Sequence, residues 1–294
     1  FLAAHKDIDA MSKLLDYCIK RHFPEILDSP NKVIKFIELV MSKQIDLIVN
    51  WMRVGFIHGV MNTDNSTICG ETIDYGPCAF MDQYDHKAVF SSIDFQGRYA
   101  YGNQPATIHW NLVRLTESLL PLIDKDESKS LEVAQSTIDS FSNIFNKEWQ
   151  NMMRLKLGLT DQSEEDEELI KDLLSWMQSK KPDFTNTFAN LMDSNHANDE
   201  EFEENDFVEW KKNWKERVNN KDYLNIMKKT NPILIPRNSL VEEALHEAET
   251  IGKLDKFNEL NKVIASPYNI EKAPKKYLDT PKKSNIPYKT FCGT

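Results

Sequence analysis

The sequence predicts a mainly α-helical protein with one small β-hairpin, and three observations support this. Apolar residues recur at a helical period over residues 5–22 and again over 31–54. A short polar segment with a central glycine, residues 66–73, is typical of a hairpin between two short strands. Hydrophobic residues make up 40% and charged residues 28% of the 294 positions, as in an ordinary globular protein.

The two N-terminal helices lead the chain into its most informative segment. Asn31 is a suitable N-cap for the second helix, and Gly55 is a suitable C-terminal stop. Farther along, amphipathic patterns predict helices over about 106–123, 130–157 and 164–179, and a further helix that carries Trp210 and Trp214 on one face. Residues 78–105 form a loop-rich segment whose polar side chains could contact a substrate, and residues 271–294 are expected to be extended or loose.

Residues 58–65 read His-Gly-Val-Met-Asn-Thr-Asp-Asn. A protein-kinase catalytic loop carries an asparagine seven positions after its histidine, and the spacing from His58 to Asn65 is also seven. The kinase base would stand at Val60, which carries no proton, whereas Asp64 directly precedes the asparagine. The segment therefore predicts the metal-binding half of a kinase-like site whose base is lost or moved, with His58 in a structural role.

Asp74 opens an Asp-Tyr-Gly triplet nine residues after Asn65, where a kinase carries Asp-Phe-Gly. Mg²⁺ prefers carboxylate, amide and phosphate oxygens. Short strands over 66–68 and 72–73, around a turn at 69–71, would place Asn65 and Asp74 side by side on one metal ion. Turn chemistry explains most Asp-Asn pairs, so the spacing, the triplet and the preceding helix are what favour a nucleotide site.

The segments that contain His58 to Asn65 and Asp74 resemble the SelO family of protein adenylyltransferases, which have a pseudokinase fold. The resemblance covers the chain from near residue 7 to its end and is weak over 120–145 and 183–207. It implies a protein-kinase-like C-lobe over residues 1–123 and a C-terminal helical extension with a loose tail over 124–294. The matching segments are 55–65, 72–77, 96–105, 110–112, 153–159, 231–232, 237–238 and 266–268.

The resemblance also implies an activity, which is transfer of AMP from ATP to Ser, Thr or Tyr hydroxyls of proteins. Position by position, Asp64 matches the catalytic acid/base and Asn65 matches a Mg²⁺ ligand. Asp74 matches a second Mg²⁺ ligand that also contacts ATP. Mn²⁺ is the alternative metal ion. The family occurs in the bacterial cytoplasm, which is the expected location, with the mitochondrial matrix as the alternative.

One departure from the family pattern concerns the nucleotide clamp. The family's Gly-rich loop, its lysine with an acidic partner, and its phosphate-binding arginines lie in an N-terminal lobe. This chain begins with Phe1 and has 9 glycines without any Gly-x-Gly, so it is expected to be the C-terminal portion of a longer protein, to bind metal weakly and to lack full activity. Cys292 matches the family's terminal Cys or selenocysteine, and both a reactive thiol and an inert tail cysteine stay open.

Composition excludes several other classes of function. The net charge of −10 argues against general nucleic-acid binding, and no apolar run approaches the length needed to span a membrane. The four cysteines have no paired spacing typical of a disulfide framework or a zinc site. The sequence does not indicate an oligomeric state.

Two other functions remain open. The first is ordinary γ-phosphoryl transfer by a divergent kinase-like enzyme, against which Val60 argues because a kinase base belongs at that position. The second is a non-catalytic module that binds a nucleotide or a partner without turnover.

Overall fold

The structure is a computed structural model that describes residues 2–194, 196, 200–269, 274–281 and 288–291. Most of these residues are helical, and the named strands form one small sheet. None of the helices within the described ranges combines the length and hydrophobicity needed to traverse a lipid bilayer. The elements in chain order are α1 Ile8–His22, α2 Lys32–Val54, β1 Phe56–Ile57, β2 Ala79–Phe80, α3 Gln104–Ile123, α4 Glu127–Asp139, α5 Phe141–Lys156, α6 Glu165–Lys180, α7 Phe184–Met192, α8 Asn205–Arg217, α9 Tyr223–Thr230, α10 Asn238–Ile251, α11 Asp255–Ile264 and α12 Lys275–Leu278.

The two N-terminal helices are confirmed nearly as predicted. Asp7 caps α1 by accepting a hydrogen bond from the Ala10 amide at 3.0 Å, which satisfies one of the free N–H groups of the first turn. The last turn of α1 is basic and so complements the negative end of the helix dipole. α2 ends at Gly55, whose φ of +73° is the left-handed conformation that glycine adopts readily.

The predicted hairpin over residues 66–73 is wrong. The strands that pair are β1 and β2, which are antiparallel with Phe56 opposite Phe80, and residues 66–73 contain no strand. Side-chain hydrogen bonds take the place of a ladder: the Thr67 hydroxyl accepts from the Glu71 amide at 2.9 Å and donates to the Glu71 carbonyl at 2.7 Å. A hydroxyl that occupies both backbone groups of one residue removes them from strand pairing.

The helix predicted over 130–157 is two helices, α4 and α5, which are separated at Ser140. The Ser140 hydroxyl donates to the Thr137 carbonyl at 2.7 Å and competes for the carbonyl that a continuing helix would use. α4 also begins earlier than expected, because Asp126 caps it by accepting from the Ser128 amide at 3.0 Å.

Trp210 and Trp214 lie on one buried face of α8, as predicted, with their ring centroids 6.2 Å apart. The acidic start of α6 is not wholly solvated, since Asp166 is buried and accepts a hydrogen bond from Arg217 at 2.8 Å. Of the tail, only 274–281 and 288–291 are described, so Cys292 lies outside the described residues.

The chain divides into two compact units, each built from separate stretches of sequence. The first comprises the described residues of Phe1–Asn50, Val60–Tyr75 and Asn103–Glu148. The second comprises those of Trp51–Gly59, Gly76–Gly102 and Trp149–Thr294. The first unit buries aliphatic residues of α1, α2 and α3, and the second buries a large aromatic set on β1, α7 and α8. The proposed domains 1–123 and 124–294 stay a prediction.

Candidate active site

Asn65 lies at the end of a single 3₁₀ turn, Thr63–Asn65, in the first unit. Its side-chain amide donates to the Val60 carbonyl at 3.0 Å. Because the NH₂ group makes this bond, the amide oxygen is the atom that remains for a ligand. A neutral amide oxygen is among the hard donors that Mg²⁺ accepts, so Asn65 suits the metal-binding role expected for it.

Asp64 is the central residue of the same turn, and it is exposed. Its carboxylate makes no hydrogen bond or ion pair within the part of the chain that the structure describes. No described contact of the fold therefore depends on this carboxylate. A carboxylate without such contacts is able to accept a proton from a nearby hydroxyl.

Asp74 combines exposure with an unusual backbone conformation. Its φ is +54°, a left-handed region that few non-glycine residues adopt and that aspartate tolerates better than most. This conformation costs about 1–2 kcal/mol, and such strain concentrates at functional sites. Like Asp64, the side chain has no hydrogen bond or ion pair among the described residues.

All three predicted site residues lie in Val60–Tyr75, within one compact unit. No described hydrogen bond or ion pair joins Asp74 to Asp64 or Asn65. Among the described residues, no group of three or more His, Cys, Asp and Glu side chains is placed so that it could hold a metal ion. Asn65 and Asp74 would supply two protein oxygens. Mg²⁺ is usually bound by one or two protein ligands together with phosphates and waters. Their convergence on one ion stays a prediction.

Two buried side-chain amides, which the sequence does not single out as anchors, hold this loop. Asn111 of α3 donates to the Met61 carbonyl at 3.1 Å and to the Ser66 hydroxyl at 2.7 Å. Gln44 of α2 donates to the Thr67 carbonyl. These bonds anchor both sides of the turn that carries Asp64. Each is a polar residue on an otherwise apolar helix face, and this pattern in the sequence could have indicated an anchor, because a buried polar side chain needs a hydrogen-bond partner.

Gly70 brings the loop against α2. Its φ is +74°, and a Cβ atom at this position would lie 2.8 Å from the Lys43 carbonyl oxygen. A side chain here would therefore collide with the backbone of α2, and the loop follows its observed path because residue 70 is glycine.

His58 has the structural role expected for it. It is fully buried, and its ring stacks on Trp51 with centroids 5.2 Å apart. Val60 is also buried and supplies no titratable group, so the position of the kinase base carries no base.

Several charges in the loop-rich segment after Asp74 stabilise the second unit. Asp82 lies 3.0 Å from Arg237, a buried cation that also pairs with the buried Asp183. Burial alone would lower the pKa of Arg237, but the two carboxylates raise it above its ordinary value. Asp85 pairs with Lys181 at 2.8 Å. These contacts favour a structural role for both aspartates over substrate contact.

The family model described as "Protein adenylyltransferase SelO" matches residues 1–265. Three bacterial proteins named "Protein nucleotidyltransferase YdiU" are among the relatives. The one from Clostridium perfringens (strain SM101 / Type A) is 50% identical over 98% of this chain and 59% of its own length. Those from Bacillus cereus (strain ATCC 10987 / NRS 248) and Pelagibacter ubique (strain HTCC1062) are 48% and 46% identical over all of this chain and 61% and 62% of their own lengths.

The chain thus spans about three fifths of the length of these curated relatives. The family model covers well over half of the chain, and it includes the turn with Asp64 and Asn65 as well as the strained Asp74. The chain therefore belongs to the SelO family.

Proposed function

We propose that this protein is a protein adenylyltransferase that moves AMP from ATP to a Ser, Thr or Tyr hydroxyl of a protein substrate. The observation that supports this most directly is that Asp64, Asn65 and Asp74 of this SelO family member keep oxygen atoms available for a ligand. Both carboxylates are exposed without a described partner, and the amide of Asn65 keeps its oxygen available. The bacterial cytoplasm is the proposed location.

The donor set fits Mg²⁺, with Mn²⁺ as the alternative. The Asn65 amide oxygen and the Asp74 carboxylate would hold the ion, and Asp74 would also lie against ATP. When bound, the ion offsets the negative charge of the phosphates. Phosphate oxygens and water would supply the other ligands.

Asp64 is the proposed base. Its carboxylate takes the proton of the acceptor hydroxyl, whose oxygen then attacks the α-phosphorus of ATP. The bond from the α-phosphorus to the bridging oxygen breaks, and pyrophosphate leaves with the electron pair. The product is a phosphodiester between AMP and the substrate side chain, and Asp64 later releases the proton to solvent.

The proposed architecture places this chemistry on a kinase-like C-lobe, residues 1–123, followed by a helical extension, residues 124–294. The helix before the loop, the kinase-like spacing of Asn65 and the Asp-Tyr-Gly triplet support this assignment. The buried Val60 supports AMP transfer over phosphorylation, because a kinase would need a base at that position.

The test is labelling with ATP that carries its label on either the α- or the γ-phosphate. The assay contains Mg²⁺ and a protein extract, and it compares the full-length protein encoded by the gene with residues 1–294 alone. Label that enters protein only from the α-phosphate, and is lost in Asp74→Ala, supports AMP transfer at this site. Label only from the γ-phosphate would mean phosphorylation, and no label from either would favour a binding module.

A further inference from the structure

A cavity of about 630 Å³ lies within the second unit, between α5, α6 and the loop that carries Tyr84 and His86. Its volume falls in the range of about 300–1,000 Å³ that is typical of small-molecule sites. The wall on α6 is a single helix face, because Ile170, Leu174 and Gln178 recur at intervals of four residues. The surface of the cavity is mainly apolar.

Hydrogen bonds fix the loop side of this cavity to α6 and to the residues directly after it. The Tyr84 amide donates to the Pro182 carbonyl at 2.9 Å. The His86 amide donates to the side-chain oxygen of Gln178 at 2.9 Å, and the Gln178 side-chain nitrogen donates to the Asp85 carboxylate at 3.1 Å. Since these bonds join two of its sides, the cavity is formed by the fold itself and does not require a ligand to shape it.

The Tyr84 hydroxyl is a polar group that the fold leaves open. The Tyr84 ring stacks on Phe184 with centroids 6.0 Å apart and meets Tyr101 edge-on, and the residue is only 4% exposed. Its hydroxyl makes no hydrogen bond to any residue in the described ranges, yet it is not sealed from solvent. A buried tyrosine usually has a partner for its hydroxyl. Because Tyr84 lines the cavity, this open hydroxyl faces it.

The lining favours a neutral ligand with a hydrogen-bonding group. Burial, followed by the charge of Asp85, raises the pKa of the Tyr84 hydroxyl to about 12. The hydroxyl is therefore protonated at neutral pH, and it is able both to donate and to accept a hydrogen bond. Glu167 and Lys171 line the cavity with opposite charges, which gives no net preference for an anion or a cation.

We propose that this cavity binds a neutral aromatic group that carries a hydroxyl, as a phenol does. The ring lies against Trp149, Ile170 and Leu174, whose side chains form the apolar part of the lining. An aromatic ring is favoured over an aliphatic chain, because a pair of aromatic rings gains more than the burial of area alone. The ligand hydroxyl shares a hydrogen bond with the Tyr84 hydroxyl. Binding at this cavity does not depend on the proposed AMP transfer.

The test compares phenol with toluene, which has the same shape with a methyl group in place of the hydroxyl. Binding of each to the full-length protein is followed by the methyl NMR signals of Ile170 and Leu174, which line the cavity. Toluene is more hydrophobic than phenol, so the change in the ratio of the two affinities between parent and variant measures the hydrogen bond. In Tyr84→Phe we expect the preference for phenol over toluene to fall about threefold to tenfold. An unchanged ratio, or no saturable shift with phenol in the parent, would overturn the proposal.

Matched variants locate the site. Tyr223→Phe removes a hydroxyl that accepts from Lys215 at 2.6 Å and does not line the cavity, so it should leave the ratio unchanged. Trp149→Leu removes the aromatic wall and should weaken both probes about threefold to tenfold, whereas Trp110→Leu in the first unit should not. Trp149 is partly exposed, so this variant tests the site even if Tyr84→Phe does not fold. Full affinity for both probes in Trp149→Leu would contradict the assignment.

A phenol group occurs both in free molecules and in the tyrosine side chains of proteins, and N-acetyltyrosinamide distinguishes these two sources. This probe adds the flanking peptide bonds to the same ring. Binding at least as tight as that of phenol, in competition with phenol, would assign the cavity to a tyrosine of a partner protein. Binding of phenol alone would assign it to a free molecule. If neither probe shifts the signals of Ile170 and Leu174, the cavity does not bind this group and the proposal is wrong.

Discussion

The loop at Val60–Tyr75 and the cluster around Arg237 use charge in opposite ways. In the loop, Asp64 and Asp74 are exposed and have no described partner. In the cluster, which belongs to the second unit, Arg237 is 1% exposed and Asp183 is fully buried, and the two are paired.

This difference separates the charges that stabilise the fold from those that do not. A buried charge is costly unless a partner compensates it, so removing one member of the Arg237 cluster should damage stability. An exposed, unpaired carboxylate contributes little to folding and is free for chemistry. Activity and stability should therefore respond to different residues, and the following predictions test this separation.

The largest expected effect is on activity. Asp64→Asn and Asp74→Asn remove a charge with almost no change of shape, and asparagine also tolerates the left-handed backbone at position 74. We expect AMP transfer by the full-length protein to fall about 100-fold or more for each, with stability unchanged within about 0.5 kcal/mol. Asp46→Asn, at an exposed position of α2, is the control and should keep full activity. Activity within a few-fold of the parent in Asp64→Asn would contradict the role of that residue.

The second prediction concerns stability. Asp183→Ala leaves Arg237 buried with the largely buried Asp82 as its remaining carboxylate partner, and it also removes the cap that accepts from the Asn186 amide at 2.8 Å. We expect a loss of about 3–5 kcal/mol in the free energy of unfolding, measured by urea denaturation.

Asp85→Ala is the matched control for that experiment. Its partly exposed carboxylate pairs with Lys181 and also accepts from the Lys87 amide at 2.9 Å and from the Gln178 side chain at 3.1 Å. We expect a loss of about 1–2 kcal/mol, below that of Asp183→Ala. Similar losses in the two variants would remove the distinction between buried and exposed charge in this protein.

The third prediction compares two glycines with the same backbone conformation. Gly70 and Gly252 have φ of +74° and +71°, but only Gly70 has close neighbours, since nothing lies within 4 Å of a Cβ built at Gly252. Gly252→Ala should cost about 1–2 kcal/mol through the left-handed conformation alone. Gly70→Ala should cost roughly a further 1–3 kcal/mol through the collision with Lys43. Equal costs by urea denaturation would show that the loop can move away from α2.

The last prediction concerns Lys156, a buried lysine whose effect is spread over several pH units. Its amine donates to the Arg53 carbonyl at 2.8 Å and lies 3.7 Å from the centre of the Phe188 ring. Burial, and then the charge of Arg53, lower its pKa well below the ordinary value. Between that lowered pKa and the unfolded value near 10.4 the unfolded chain binds more protons, so stability rises with pH.

Lys156→Met should remove this dependence, which amounts to at most about 1.4 kcal/mol per pH unit. The measurement is the free energy of unfolding from neutral pH to about pH 10 for the parent and the variant. Lys212→Met, at an exposed position of α8, should leave the slope unchanged. A parent and a Lys156→Met variant with parallel profiles would show that Lys156 keeps its ordinary pKa in the folded protein.

Local patterns made the helices predictable. The apolar period of α1 and α2, the stop at Gly55 and the shared face of Trp210 and Trp214 are confirmed, because they depend on near neighbours in sequence. The hairpin at 66–73 was predicted from turn composition and is wrong, because the Thr67 side chain and Gln44 of α2 compete for its backbone groups. Competition from α2 is not visible in the loop's own sequence.

For the candidate site, the sequence by itself supplied the proposed residues, because spacing and residue type single out Asp64, Asn65 and Asp74, and the sequence also places the chain in its family. The tertiary structure decided what holds them, through amides on α2 and α3 that lie far from the loop in sequence. It also decided which charges are structural, since nothing in the sequence pairs Asp82 or Asp183 with Arg237. Local hydrogen bonding and side-chain chemistry act over a few residues, whereas burial depends on which distant segments fold together.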